Sequence, residues 1–359
     1  MKPRKIAIVA EWLTSRGGAE GVVDNLLQIF PDADLYTSVF NEKTLPEYAK
    51  LKPKTSFLQK IPWLNRKHQL VAPLLPFAMR RMKLSGYDLI ISSSSSVGKF
   101  IQKDIGTIHV CYCHTPMRYA WETKTDPRII KLPFGKFFVR LLKKWDIESN
   151  KGVDFFISNS QYTASRIKKF YNRDATAIYP PVVINENYPS VKENNDFYFA
   201  ISRLVSYKRI DLAIDACIKL NRNLIVAGDG AELENLKKLA QGHNNIKILG
   251  KVSNKQKDNL YKAARAVIFP ADEDFGIVPI EANSFGTPVV AFNRGGCRET
   301  IQDGINGVLF ERQTTQSICE AIEKLEKIKF NSVEIIKSAK KFSAENFQNN
   351  IKVFIESIK

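Results

Sequence analysis

The sequence predicts an α/β protein built from two doubly wound, Rossmann-like domains. Short apolar runs recur along the chain, each closed by a glycine or small polar turn and followed by a stretch of helical periodicity. The pattern breaks once, at Pro180-Pro181 and a polar stretch over 185–195, and then restarts. Strands separated by helical stretches build parallel sheets from βαβ units.

In the first half, strands are expected over 5–10, 35–38, 89–92, 108–112 and 155–158. Gly17-Gly18-Ala19-Glu20 opens a helix that runs to about Phe30. The strand at 89–92 enters five serines, Ser92 to Ser96. Small residues directly behind a buried strand predict a strand-to-helix turn here rather than a flexible linker. The polar stretch 185–195 is the expected linker, and strands resume over 197–201, 223–228, 246–250, 266–269 and 288–291. Domains are therefore expected over 1–185 and 192–335. The closing helices begin near Val333, and residues 336–359 could pack back on the N-terminal domain.

Composition agrees with a globular chain. The 359 residues suffice for two domains, and 44% hydrophobic with 25% charged residues is ordinary for a folded protein. No run of apolar residues is long enough for a spanning helix. Met1-Lys2-Pro3-Arg4-Lys5 is basic, but only five apolar residues follow before Glu11, which reads as a first strand rather than a signal peptide. Cys111 and Cys113 flank Tyr112, while Cys217, Cys297 and Cys319 are scattered. An odd set of five without metal-ligand spacing points to reduced thiols in the cytoplasm.

The net charge of +17 is uneven: residues 1–189 hold 29 Lys and Arg against 16 Asp and Glu, an excess of 13. Residues 190–359 hold 25 against 21. The excess gathers around 50–54, 66–83 and 131–144, interleaved with Ile61-Pro62-Trp63-Leu64 and the apolar run 70–77. Cations mixed with Trp, Leu and Phe suit an anionic membrane surface, which combines apolar burial with electrostatic attraction. A solvated basic face gives the same composition. No familiar nucleic-acid readout motif occurs, so no nucleic acid is expected as a partner.

The most informative pair is Glu273 and Glu281, in Glu273-Asp274-Phe275-Gly276-Ile277-Val278-Pro279-Ile280-Glu281. Glu273 follows a buried-strand pattern, and Glu281 falls one or two turns into the next helix. In an open α/β sheet the carboxyl edge of the strands is where ligands bind. A carboxylate is an acceptor-only group, so two of them suit a polyhydroxylated ligand, a sugar or a ribose. Acidic residues are also favoured in a first helical turn by the macrodipole, which accounts for Glu273 or Asp274 but not for Glu281.

Phosphate chemistry has candidates in both halves. Gly17-Gly18 offers backbone N–H groups at a helix start. Ser202-Arg203-Leu204-Val205-Ser206-Tyr207-Lys208-Arg209 places Arg203 and Lys208 within reach of one diphosphate, although solvated loop cations would look the same. Gly228, Gly230 and Gly295-Gly296 also end strands.

Taken together, these residues resemble the retaining glycosyltransferases of family 4. The resemblance rests on the Glu273/Glu281 motif, on Ser202-Arg203-Leu204 with Lys208, and on Gly228-Asp229-Gly230. It also rests on Gly295-Gly296-Cys297-Arg298-Glu299 with Asp303-Gly304 and Asn306-Gly307, and on His114-Thr115-Pro116-Met117-Arg118-Tyr119-Ala120-Trp121. The His114 run and the Glu273–Pro279 stretch are most similar to bacterial polysaccharide mannosyltransferases that use GDP-mannose. The resemblance implies the GT-B fold, two Rossmann-like domains facing across a cleft.

It also implies roles. Glu273 would accept hydrogen bonds from donor-sugar hydroxyls, assisted by the backbone N–H groups of Phe275, Gly276 and Ile277. Glu281 would hold the ribose, and Arg203 and Lys208 would neutralise the departing diphosphate. His114 would stand beside the reacting carbon, while Gly17 and Gly18 would let their loop approach donor and acceptor. No metal or separate cofactor is implied beyond the nucleotide-sugar donor. Retention without a placed nucleophile means attack on the face the diphosphate leaves, with a phosphate oxygen as base. No second carboxylate sits at glycosidase spacing. The implied acceptor is a lipid-linked or growing surface polysaccharide at the inner face of the plasma membrane. Alternatives are a UDP-sugar donor, a non-catalytic sugar-nucleotide-binding protein, or an inverting enzyme using Glu11, Glu20 or Asp24 as base.

Overall fold

The computed structural model describes residues 5–61, 74–123, 131, 133–184 and 196–358. The expected linker 185–195 and the Trp63-bearing stretch 62–73 lie outside the described residues. The chain divides into one unit of Met1–Pro181 with Phe347–Lys359 and a second of Val182–Asn346.

The first unit holds β1 (Ile6–Ala10), β2 (Asp34–Thr37), β3 (Lys54–Thr55), β4 (Lys83–Leu84), β5 (Leu89–Ser94), β6 (Gln102–Lys103), β7 (Ile108–Cys113), β8 (Phe155–Ser158) and β9 (Ala175–Ala177). Seven of these form a parallel sheet in the order β3-β2-β1-β5-β7-β8-β9, and β4 pairs with β6 alone. Successive side chains of a strand point to opposite faces. Accordingly Ala7 and Val9 enter one apolar cluster, and Ile8 and Ala10 enter the other. The strands are apolar without alternation because both faces are covered.

The second unit holds β10 (Tyr198–Ile201), β11 (Leu224–Ala227), β12 (Ile246–Gly250), β13 (Ala266–Phe269), β14 (Val289–Phe292) and β15 (Gly307–Phe310). Their order is β12-β11-β10-β13-β14-β15, all parallel. Here too the faces separate: Ala266 and Ile268 of β13 pack into one cluster, Val267 and Phe269 into the other. In both sheets the strand order reverses beside the first strand, between β1 and β5 and between β10 and β13, which creates a switch point at the carboxyl edge.

Two sequence expectations change. The serine run is half strand, since β5 continues to Ser94, and it leads to a turn at Gly98-Lys99 rather than to a helix. The buried Glu11 carboxylate explains this, because its Oε1 accepts from the Ser94 hydroxyl (3.0 Å) and from the amides of Ser95 (2.9 Å), Ser96 and Gly98 (2.9 Å). The second change concerns the closing segment. Residue 335 lies inside the helix Ser332–Lys340, which belongs to the second unit and receives a hydrogen bond from Asn306 at Ser338 (2.9 Å). Phe347, Ile351 and Ile355 of the next helix, Ala344–Ser357, complete the first unit's core beside Ile8 and Leu26.

Candidate functional site

The predicted residues divide between the two units, and each set is described within its own. In the second unit, β13 ends at Phe269, and residues 270–276 form the loop to the helix Ile277–Ser284. Gly276 starts that helix with φ 82°, and no side chain caps it, so its first-turn amides face outward from the helix end. The loop's course is held by glycines beneath it. Gly296 N–H donates to Glu273 O (2.9 Å), and a Cβ on Gly295 would stand 2.0 Å from that same oxygen. A side chain there would push the Glu273 backbone out of place.

Glu273 meets Lys208 at this edge: Lys208 Nζ lies 2.6 Å from Glu273 Oε1, with 13% and 23% of the side chains exposed. Lys208 ends the short helical turn Ser206–Lys208 that follows β10, so the pair bridges the switch point. Arg203 is exposed on the same loop and donates to the Tyr207 hydroxyl (2.9 Å), while Lys208 Nζ lies 5.5 Å from the Tyr207 ring. Tyr207 thus sits between the two cations. Gly228 crosses behind this loop at φ 129°, where a Cβ would stand 1.8 Å from Ser202 O.

Glu281 sits at the fifth position of its helix, and both of its oxygens are engaged. Lys257 Nζ lies 2.7 Å from Oε1, and the Tyr261 hydroxyl donates to Oε2 at 2.8 Å. Burial, reinforced by the Glu281 charge, holds the Tyr261 phenol well above its ordinary pKa, so it remains a donor. Sequence reasoning missed Lys257, Tyr261 and Tyr207. The first two carried a readable sign, a spacing of four on one helix, but their target is distant in sequence.

In the first unit His114 directly follows β7, half-buried, and its Nε2 is 2.8 Å from the Ser93 hydroxyl of β5. Its amide donates to Ser94 O, and Asn159 Nδ2 donates to His114 O (2.9 Å). Three serines that looked like turn filler therefore end a strand beside it. Gly17 and Gly18 start the helix Gly18–Ile29, as expected from sequence, with no side-chain cap bond from Gly17. Glu20 folds back on that helix start; burial raises its carboxyl above the ordinary range, and the amides of Glu20 and Gly17 counter the rise. Asp24 is paired with Arg16 and accepts from the Tyr48 hydroxyl (2.6 Å). Among the described residues, no three His, Cys, Asp or Glu side chains gather as metal ligands.

Known proteins match this arrangement. The family model "Glycosyltransferase Family 4" matches residues 16–186, and "Glycosyl transferases group 1" matches residues 185–342. Human alpha-1,3/1,6-mannosyltransferase ALG2 is 31% identical over 249 residues, which is 59% of this chain and 58% of that protein. A GDP-mannose-dependent alpha-(1-6)-phosphatidylinositol monomannoside mannosyltransferase of Mycobacterium tuberculosis H37Rv is 26% identical over 203 residues, 48% of this chain and 53% of its own length. The chain thus spans little more than half the length of either relative. Among solved structures, Anabaena HepE in complex with UDP superposes with a TM-score of 0.72 at 21% identity, over 98% of this chain and 100% of that one. With the two family matches in sequence along the chain, and a Rossmann-like parallel sheet in each unit, the chain belongs to the GT-B glycosyltransferases of family 4.

Proposed function

We propose that the chain is a retaining, metal-independent hexosyltransferase that moves mannose from GDP-mannose to a lipid-linked or growing surface-polysaccharide acceptor. The Lys208–Glu273 pair at the β10/β13 switch point carries this reading. A diphosphate arriving there would gain Lys208 and Arg203 as counter-charges, and the sugar hydroxyls would gain Glu273 as acceptor. Lys208 and Glu273 are mostly buried, so water screens their interactions less than it does those of the exposed Arg203. The leaving phosphate oxygen would take the acceptor's proton on the face it departs from.

Retention is supported by what the other carboxylates do. Glu11 fills a ring of amides, Glu20 folds onto its own helix start, and Asp24 is tied to Arg16 and Tyr48. Each is committed to structure, so none is placed as the general base an inverting enzyme needs. Mannose is supported by both relatives, and GDP by the mycobacterial one. A UDP-sugar donor is the second reading, favoured by HepE complexes with UDP and UDP-glucose.

The reading places the enzyme in the cytoplasm at the inner face of an anionic membrane. Phe77, Phe134, Phe137 and Phe138 are exposed, beside the exposed cations Arg80, Arg81, Lys136, Arg140 and Lys144. Among the described residues no helix is long and apolar enough to cross a membrane.

Hydrolysis and thermal-shift screens across GDP-, UDP- and ADP-sugars test the donor, and GDP-mannose should give the largest response. Glu273→Ala and Lys208→Ala should each lower transfer by about 10²–10³-fold, the usual loss when one transition-state contact is removed. Their melting profiles should remain those of the parent. An α-donor should yield an α-linked product by NMR; a β-linkage overturns retention, and a variant with near-full activity overturns its assignment.

A further inference from the structure

We infer that Lys257 is the positioning residue of the nucleotide clamp, setting the Glu281 carboxylate for a vicinal diol without itself touching the ligand. This rests on the reading that Glu281 receives the ribose. The helix Asn254–Ala263 is fixed at its start by a capping box in which Ser253 and Gln256 satisfy each other's backbone amides. Residues four apart on a helix share a face, and Lys257 and Tyr261 both reach Glu281 from that one face.

Their division of labour follows from burial. Tyr261 is fully buried, with its ring 5.4 Å from Phe199 edge-on and 5.8 Å from Phe285 in a stack. Its hydroxyl therefore fixes one carboxylate oxygen rigidly. Lys257 is a quarter exposed and holds the other oxygen at 2.7 Å. A carboxylate oxygen has two lone-pair directions. With one direction taken on each oxygen, the remaining two leave a matched pair of acceptors, which is what adjacent 2′- and 3′-hydroxyls require. Lys257 also offsets the Glu281 charge, which would otherwise repel a ligand carrying a diphosphate. A site that hydrogen-bonds a hydroxyl discriminates against the analogue lacking it. Lys257 therefore sets the preference for ribose over deoxyribose.

The test uses the full chain titrated with GDP, 2′-deoxy-GDP, UDP and 2′-deoxy-UDP, together with donor kinetics. The parent should prefer the better ribonucleotide over its deoxy form by about tenfold or more. Lys257→Met should lose most of that preference and raise donor KM about tenfold, with kcat changed less than about threefold. Lys257→Arg should restore much of both. Tyr261→Phe, which keeps the ring packing and removes the donor, should move the preference in the same direction. If Glu281→Gln collapses the ribose preference but Lys257→Met and Tyr261→Phe leave it intact, the inference falls and the ribose reading stands. If Glu281→Gln itself leaves the preference unchanged, the ribose reading falls and the inference with it.

Discussion

His109 lies inside β7 and His114 directly after it, and only His109 is fully buried. His109 is fully buried, with Nε2 2.8 Å from the Ser92 hydroxyl and Nδ1 3.1 Å from Gly152 O. Burial pushes its pKa down to about 4. The unfolded chain therefore binds the proton more readily between pH 6.5 and 4. Stability from this group is complete above pH 6.5 and declines as pH falls towards 4, by about 3 kcal/mol in total. The stability gap between the parent and His109→Gln in urea melts should shrink over that interval; a constant gap counts against a neutral buried imidazole. At this scale the sequence read chain-local facts well. Glu273 at a strand end and Glu281 inside the next helix could be placed from spacing alone. Lys257 and Tyr261 could not, because a helix face does not reveal which distant carboxylate it meets.

The helix Gly135–Ser149 shows how far element-level reading goes. Its periodicity places Val139 and Leu142 inward with Phe137, Phe138, Lys136, Arg140 and Lys144 outward, and the outer face is both aromatic and basic. Asp146 breaks the pattern on the buried side. It is stabilised there by Lys99 (2.5 Å), the Trp121 indole (2.7 Å) and the Tyr171 hydroxyl (2.8 Å), partners that no periodicity reveals. Replacing Phe137 and Phe138 together with serine should weaken binding to anionic vesicles by at least about tenfold, since each ring carries roughly 1.5–3 kcal/mol of burial. High salt should release the parent, because the attraction is screened; equal binding to neutral vesicles would sink the membrane reading. Central strands were legible because both faces are apolar. β3, with two residues, β9, reading Ala-Thr-Ala, and β15, hidden behind Asp303-Gly304 and Asn306-Gly307, were not. β3 and β9 are edge strands, short and poorly covered, so their sequences carry little signal.

Across the whole molecule, the chain leaves its first unit at Pro181 and returns to it at Phe347. The spacing of Phe347, Ile351 and Ile355 announces an apolar stripe, yet a stripe does not say which sheet it covers. Deleting residues 347–359 would uncover that part of the core and also remove the Gln348 hydrogen bond to Asn25 (2.8 Å). Three buried apolar side chains are worth about 5 kcal/mol or more. The first unit's unfolding transition should therefore shift down or vanish in calorimetry while the second unit's transition holds its position. Coincident loss of both transitions would show that the units do not melt separately.

The return of the chain at Phe347 also orders its birth on the ribosome. Domains generally fold as units, N-terminal first, while synthesis continues. This N-terminal unit cannot finish that way, because the helix that seals one face of its sheet is translated only after the entire second unit. The nascent first unit must wait with the apolar seam around Ile8, Leu26 and Tyr112 open. The second unit, continuous in the chain, can close first, so the unit begun earlier is the unit completed last.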